Sequence, residues 1–384
     1  MCKLTNSYLS PALGIVFTLI ASTLAMGAEQ VFTTEKGQVK VEKVVSGIDT
    51  PWAMAMLPSG QLLITERDGN MILVDPGSPN EKQTVKGLPK IKAFGQGGLL
   101  DVVLDPQFDS NNTIYFTFSH PDFWGNVGTA IASATLNTSG SPRLEDVNIL
   151  FTMENKNGSG FHFGSRIVPD LKGNLYFTIG DRGAQDRAQD PFDAAGSVMR
   201  IRTDGSIPSD NPHADGKDAL PQTWSIGHRN PQGATLNDEN GELWTLAHGA
   251  KGGDEINIPE AGKNYGWPVI SYGRHYSGGK IGVGTSAPGM EQPIYYWDPS
   301  IAPSGMDFYQ GDAIPQWKGD LFVGSLKFQT FVRLEVEGND IVHEERLFTE
   351  EYGRVRDVRA FPDGALWFLI DDSDGAVYRI TAAQ

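Results

Sequence analysis

One pattern recurs six times along this chain: an apolar strand, a turn built from Pro, Asp, Asn and Gly, and a second apolar strand carrying aromatics. The copies couple residues 52–60 with 62–65, 99–106 with 114–118, 165–170 with 175–179, 232–238 with 243–246, 305–309 with 321–323 and 358–364 with 366–370. Each reads as a hairpin whose glycines supply positive φ and whose prolines preset φ for a tight turn. The second strands begin at 62, 114, 175, 243, 321 and 366, so each repeat holds enough chain for about four strands. That predicts an all-β fold, a six-bladed β-propeller of four-stranded antiparallel blades over residues 29–384. The unequal spacing places insertions in the loops, the longest at 247–304. Residues 39–45 alternate apolar and polar, so they are expected to pair with 377–380. The N- and C-terminal strands then close the ring and cover the last sheet edge. A pair of β-sandwiches competes with this reading, but sandwiches need no sixfold repeat.

The first 28 residues read as a separate secretory signal. Lys3 begins a positive segment, an apolar run covers 12–24, and small residues follow at Ala25, Gly27 and Ala28. The run is short for a membrane span. Cys2 is the only cysteine and falls within this leader, which excludes a disulfide or a thiolate-bound metal in residues 29–384. Export without cysteines points to a bacterial periplasm. A net charge of −16 argues against nucleic acid, whose binders carry basic stripes. No later segment is long and apolar enough to span a membrane as a helix.

Several familiar motifs fail. Gly282-Val-Gly284 has no following helix, so it is no dinucleotide fingerprint. Asp371-Asp-Ser-Asp-Gly375 lacks the acidic twelfth position of a calcium loop and reads as a hairpin turn. The chain has neither a His-Glu-x-x-His nor a Gly-x-Ser-x-Gly. Polar residues between the repeats remain. Gly227-His-Arg-Asn-Pro-Gln-Gly233 packs a cation, an imidazole and two amides between glycines. Because Pro231 lacks a ladder donor, the run is expected as a loop holding donors toward a ligand, with a satisfied surface turn as the plain alternative. His162 lies between glycines before the third hairpin and Asp181 ends that hairpin, a pairing in which the carboxylate can orient the imidazole. Arg354 and Arg356 project to one face of an extended segment, with Asp357 on the other. Two guanidiniums side by side call for an anion or a carboxylate between them. Together with Lys327 and Arg229 they suggest a cationic pocket for a small polyanion, the alternative being ordinary surface ion pairs. The glycine-rich run 248–255 frees carbonyls, and Glu255 adds a carboxylate, for a hard cation such as Ca²⁺.

These segments closely resemble the soluble pyrroloquinoline quinone (PQQ) dependent aldose sugar dehydrogenases of the glucose/sorbosone dehydrogenase family. The resemblance runs over nearly all of residues 29–384. It is carried by Gly95-Gln-Gly-Gly-Leu-Leu100, the His162 segment, Thr178-Ile-Gly-Asp181, Gly227-His-Arg-Asn-Pro-Gln-Gly233, Asp254-Glu-Ile-Asn257, Asn264-Tyr-Gly-Trp-Pro268, Ser325-Leu-Lys327 and Arg354-Val-Arg-Asp357. The family fold is a six-bladed propeller.

The resemblance implies that His162 is a general base for the anomeric hydroxyl while a hydride passes to the quinone, with Asp181 orienting it. It implies that Arg229 and Asn230 hold the quinone oxygens, that Lys327, Arg354 and Arg356 are cationic contacts, and that Gln96 and Ser300 complete the cofactor site. It places one Ca²⁺ on the carbonyls of Gly249 and Ala250 and a second, structural one at Glu255 and the carbonyl of Tyr265. The implied reaction takes an aldose to its lactone and passes electrons to a quinone or cytochrome, in a monomer. His248, Ala250 and Asp298 depart from the glucose-specific members, as does a short 275–290 loop, and this suits the broad-specificity aldose branch. A calcium-dependent lactonase and a non-catalytic sugar- or protein-binding propeller are the rivals. The first needs a carboxylate-lined central metal, and the second is expected to lose His162 or the Arg354/Arg356 pair.

Overall fold

The structure, a computed structural model, describes Met1 and residues 29–383. The leader read in residues 1–28 lies outside the described residues apart from Met1. Six antiparallel sheets stand radially around one axis. Their innermost strands are Pro51–Met56, Leu99–Leu104, Ile167–Pro169, Pro231–Leu236, Pro303–Phe308 and Val355–Ala360. Each contacts the innermost strand of the next blade, and the sixth returns to the first. We number the blades in that order. The hairpins expected from the repeat are the inner two strands of every blade, for example Leu99–Leu104 with Thr113–Pro121 and Val355–Ala360 with Leu366–Ile370.

The alternating pattern of these strands buries both faces, because each blade is sandwiched between two others. Six apolar layers result, one at each blade junction. Leu99, Phe116 and Phe118 fill the layer between blades 1 and 2, and Phe322, Phe331 and Phe368 the layer between blades 5 and 6. Burying one such side chain contributes about 1.5–3 kcal/mol. Helix is confined to one turn, Phe108–Asn111, and two short 3₁₀ segments among the described residues.

Two expectations need correction. Pro231 does not sit in a loop: it opens the innermost strand of blade 4, opposite Ala247. Pro51 and Pro303 open blades 1 and 5 in the same way. A first strand residue can forgo its ladder donor, and this is why proline is tolerated there. The closing blade also carries five strands instead of four. Gly37–Ile48 pairs with Gly375–Ala382 as expected, and Gln30–Thr34 folds back on its outer edge.

The axis is polar. Asp101 of blade 2 and Asp357 of blade 6 both accept from the Arg166 guanidinium of the segment leading into blade 3, at 3.0 and 2.8 Å. Arg359 bonds the same two carboxylates, and Asp357 also accepts from the Met54 N–H of blade 1. Arg166 Nε donates to the Gln232 carbonyl of blade 4. In blade 5, Asp307 accepts from Thr235 and from the Ala360 N–H. Beyond their apolar layers, the innermost strands are thus also tied by charge across the ring. Asp101 and Asp357 at the centre are bonded to arginines, the reverse of the carboxylate-lined metal that the lactonase reading required.

Candidate active site

At one mouth of the axis, loops from blades 2, 3 and 4 enclose a cavity of about 400 Å³ lined by His162, Asp181, Arg229, Ala250, Trp267 and Tyr276 among others. His162 sits in the left-handed region at φ 54°, where a residue with a Cβ is strained. Two contacts hold it there. Gln96 Oε1 accepts from its backbone N–H at 2.8 Å, and Asp181 Oδ1 meets its Nδ1 at 2.6 Å. Asp181 is buried and also accepts from the Gly183 N–H and from Trp267 Nε1. Burial pushes the Asp181 carboxyl up, but the His162 contact, the Gly183 N–H and the Arg229 charge outweigh it and hold its pKa below the usual range. An ionised Asp181 fixes the proton of His162 on Nδ1, which leaves Nε2 as a lone-pair acceptor. Nε2 has no partner among the described residues, and His162 forms part of the cavity wall.

Arg229 enters from the start of blade 4 and donates to the carbonyls of His248 and Gly249. Its guanidinium lies 5.3 Å from the centre of the Trp267 ring. Burial lowers its pKa, countered by Asp181, Tyr276 and Asp254. Asn230 is buried; its Oδ1 accepts from the Gly164 N–H, so its Nδ2 is the part able to donate elsewhere. His228, the imidazole of the same run, does not reach the site. It stacks on Tyr265 and contacts Ser225, and burial pushes its pKa down to about 3, so it is a neutral packing residue.

The cationic group stands next to this cavity. Arg354 and Arg356 do share a carboxylate, and it is Asp371, whose Oδ2 accepts from both at 2.9 and 2.8 Å. Arg356 also donates to Gln232 Oε1, which contacts His248 Nε2. Arg356 Nε is buried without a partner. Lys327 makes no ion pair among the described residues, its ammonium lying 4.9 Å from the Phe328 ring centre. Burial, with the charges of Arg229, Arg356 and His162, drives the His248 pKa well down, so the site has a neutral imidazole at its heart.

Ser300 is held from below by a carboxylate. Its hydroxyl donates to Asp254 Oδ1 at 2.9 Å, because that buried carboxylate needs donors and also recruits the N–H groups of Gly249, Ile301 and Ala302. Ser300 therefore props the loop beneath the site. Sequence reasoning missed Trp267, Asp371 and Tyr276, and named Gln232 only as an amide of the 227–233 run. Trp267 stands inside a quoted motif, and only the contact with Asp181, 86 positions away, reveals its part.

No group of three or more His, Cys, Asp or Glu side chains able to hold a metal is found among the described residues. The oxygen donors singled out for Ca²⁺ are of other kinds. The Gly249 carbonyl is turned toward positive charge, that of Arg229. Glu255 has a single long contact, 3.5 Å from Asn257, and Asn257 Oδ1 is buried with no partner. Burial raises the Glu255 pKa to about 7. The fold thus favours the protonated form: its stabilising share is complete below the ordinary 4.5 and is lost as pH rises through about 7. With the side chain's partial exposure allowed for, ionisation costs on the order of 2 kcal/mol. Thermal melts of the metal-free protein are expected to drop by roughly 3 °C across that window from this group. Glu255→Gln is expected to remove the drop.

The sequence of residues 48–379 matches the family model described as Glucose / Sorbosone dehydrogenase. The chain belongs to that family. It is 40% identical over 346 residues to the aldose sugar dehydrogenase YliI of Escherichia coli (strain K12), covering 89% of this chain and 93% of that protein. The crystal structure of the soluble aldose sugar dehydrogenase from Escherichia coli in the apo-form superposes with a TM-score of 0.87, at 40% identity, over 90% of this chain and 100% of the other. The PQQ-bound form of the aldose sugar dehydrogenase from Streptomyces coelicolor shares the fold, with a TM-score of 0.73 at 23% identity over 91% of this chain and 100% of that one. As a member of the glucose/sorbosone dehydrogenase family the protein is an oxidoreductase acting on sugars.

Proposed function

We propose that the protein oxidises aldoses at C1 to the corresponding lactones, using PQQ and Ca²⁺. The observation that carries this reading is the His162–Asp181 pair, with Nε2 left free in the cavity wall beside buried cationic donors. PQQ, when bound, would supply a two-electron acceptor for the hydride of C1. The residues present suit such a tricarboxylate: among the described residues, Arg356 Nε is a buried donor without a partner and Lys327 a cation without a carboxylate. Arg354, Arg356 and Lys327 hold its negative groups, while Arg229 and Asn230 Nδ2 supply donors where oxyanion charge develops. His162 Nε2 takes the proton of the anomeric hydroxyl, and Asp181 stabilises the imidazolium that forms. Trp267 anchors Asp181 and helps keep water from it. Gln96 keeps the base on its strained perch. Carbonyl oxygens of Gly249 and Ala250 are the ligands proposed for Ca²⁺ at the cofactor, and Glu255 with the Tyr265 carbonyl for a structural Ca²⁺. The proposed setting is the periplasm, with a monomer passing electrons to a quinone or a cytochrome.

The test is dye-linked oxidation of a panel of aldoses by cofactor-free protein, with and without added PQQ and Ca²⁺. Turnover that requires both supports the reading. Quinone uptake without turnover on any aldose would point to a different substrate, and absence of both uptake and turnover would leave a sugar- or protein-binding propeller. Arg356→Leu is expected to weaken PQQ reconstitution by roughly 10- to 100-fold, the worth of charged hydrogen bonds. Calcium is expected to raise the melting temperature of the wild type above pH 7 more than that of Glu255→Gln, a readout that needs no activity.

A further inference from the structure

Beside the catalytic mouth lies a surface that the reaction does not use. Phe123 and Trp124 form the tip of the hairpin joining Thr113–Pro121 to Val127–Asn137, and they are 91% and 84% exposed. Large aromatics left so bare at a fixed tip mark an interaction site. Their rings meet edge to face at 5.3 Å and 88°. Phe94 and Phe161 are also exposed, at 46% and 59%. Backbone contacts stitch the three loops into one rim. Lys92 N bonds the Ser119 carbonyl, Val127 pairs with Asn157, and Gln96 N bonds the Gly160 carbonyl. Lys92 Nζ caps the tip by donating to the Gly125 carbonyl at 2.6 Å. Phe161 brings the rim to the active site, its ring 6.2 Å from that of His162.

The same rim is basic. Lys90 and Lys156 flank His120 closely enough that, after burial, their charges lower its pKa. Neither these two nor Lys92 forms an ion pair among the described residues. Asp122 at the base of the tip accepts from Asn126, which lowers its pKa and keeps it charged. Three lysines without an ion pair among the described residues outnumber this carboxylate, a local reversal of sign in a chain of net charge −16. A neutral sugar gives no reason for that reversal, and edge-to-face rings offer no flat platform for a pyranose. An anionic bilayer accounts for both features: phosphates attract the lysines, and Trp and Phe settle at the headgroup level. The negative charge of the remaining surface is repelled, which turns the basic rim toward the lipid.

We propose that this rim docks the protein on anionic phospholipid membranes, with Phe123 and Trp124 inserted into the interface and Lys90, Lys92 and Lys156 over the headgroups. Docking brings the cavity mouth to the bilayer. That this serves a membrane-held electron acceptor rests on the dehydrogenase reading, whereas docking itself does not.

Sedimentation with vesicles of phosphatidylcholine alone, or mixed equally with phosphatidylglycerol, tests it without substrate or cofactor. The expected result is pelleting with the mixed vesicles only, weakened by salt. Phe123→Ser/Trp124→Ser is expected to bind at least about tenfold more weakly, with dye-linked turnover unchanged. Each of Lys90→Glu and Lys156→Glu is expected to cost roughly fivefold or more. No pelleting of the wild type at low salt, or equal pelleting of the tip variant, overturns the proposal. So does a tip variant whose only defect is a raised KM for long oligosaccharides, which would make the rim a sugar contact.

Discussion

Replacing His162 with alanine is expected to lower kcat for aldose oxidation by about 10³-fold, within the range that a positioned base contributes. PQQ affinity should change little, because His162 is held by Gln96 and Asp181 and not by the cationic group. Asp181→Asn is expected to fall nearly as far. An amide at that position can donate to Nδ1, which moves the imidazole proton to Nε2 and removes the acceptor facing the cavity. The double variant should be little worse than either single one, since the two groups act as a unit. Steady-state rates at saturating PQQ and Ca²⁺ measure all three. A His162→Ala enzyme within tenfold of the wild type would assign the proton to another group.

Arg166→Met is expected to destabilise the fold by about 4 kcal/mol. Arg166 is fully buried and joins Asp101 to Asp357, so its loss leaves carboxylates short of a cation inside the ring. Breaking a buried pair from one side typically costs 3–5 kcal/mol. Methionine retains some apolar contact with Trp52, whose ring centre lies 4.6 Å from the guanidinium carbon, so the loss reports charge more than volume. Thermal unfolding should show a melting temperature lower by roughly 6 °C. A fall of only a degree or two would mean that Arg359, which bonds the same carboxylates, suffices alone.

The ring was readable because its signal is local and repeated. A hairpin writes its apolar strands and its turn into one short stretch, and the six second strands begin within one residue of where the pattern puts them. The His162–Asp181 pair was readable for the same reason, lying on either side of one hairpin. What stayed hidden depends on remote blades. Asp371 sits in a turn whose own sequence speaks only of turning, yet it neutralises two arginines of the neighbouring strand. Gln232 bridges Arg356 and His248 across 124 and 16 positions. Pro231 misled because its meaning depends on whether it stands inside a ladder or at its end. The fifth strand of the closing blade, Gln30–Thr34, belongs to no repeat and had nothing to be matched against.

The way the ring is fastened also dictates when it can form. Gly37–Ile48 must find Gly375–Ala382, so the earliest strands to emerge during synthesis wait for the last. Until then the outer face of Gly375–Ala382's blade is missing and the polar axis lacks Arg359 and Asp357. A chain whose decisive pairing spans its whole length folds slowly, and it folds only after synthesis is complete. Gly375–Ala382 is therefore the strand whose arrival locks the ring.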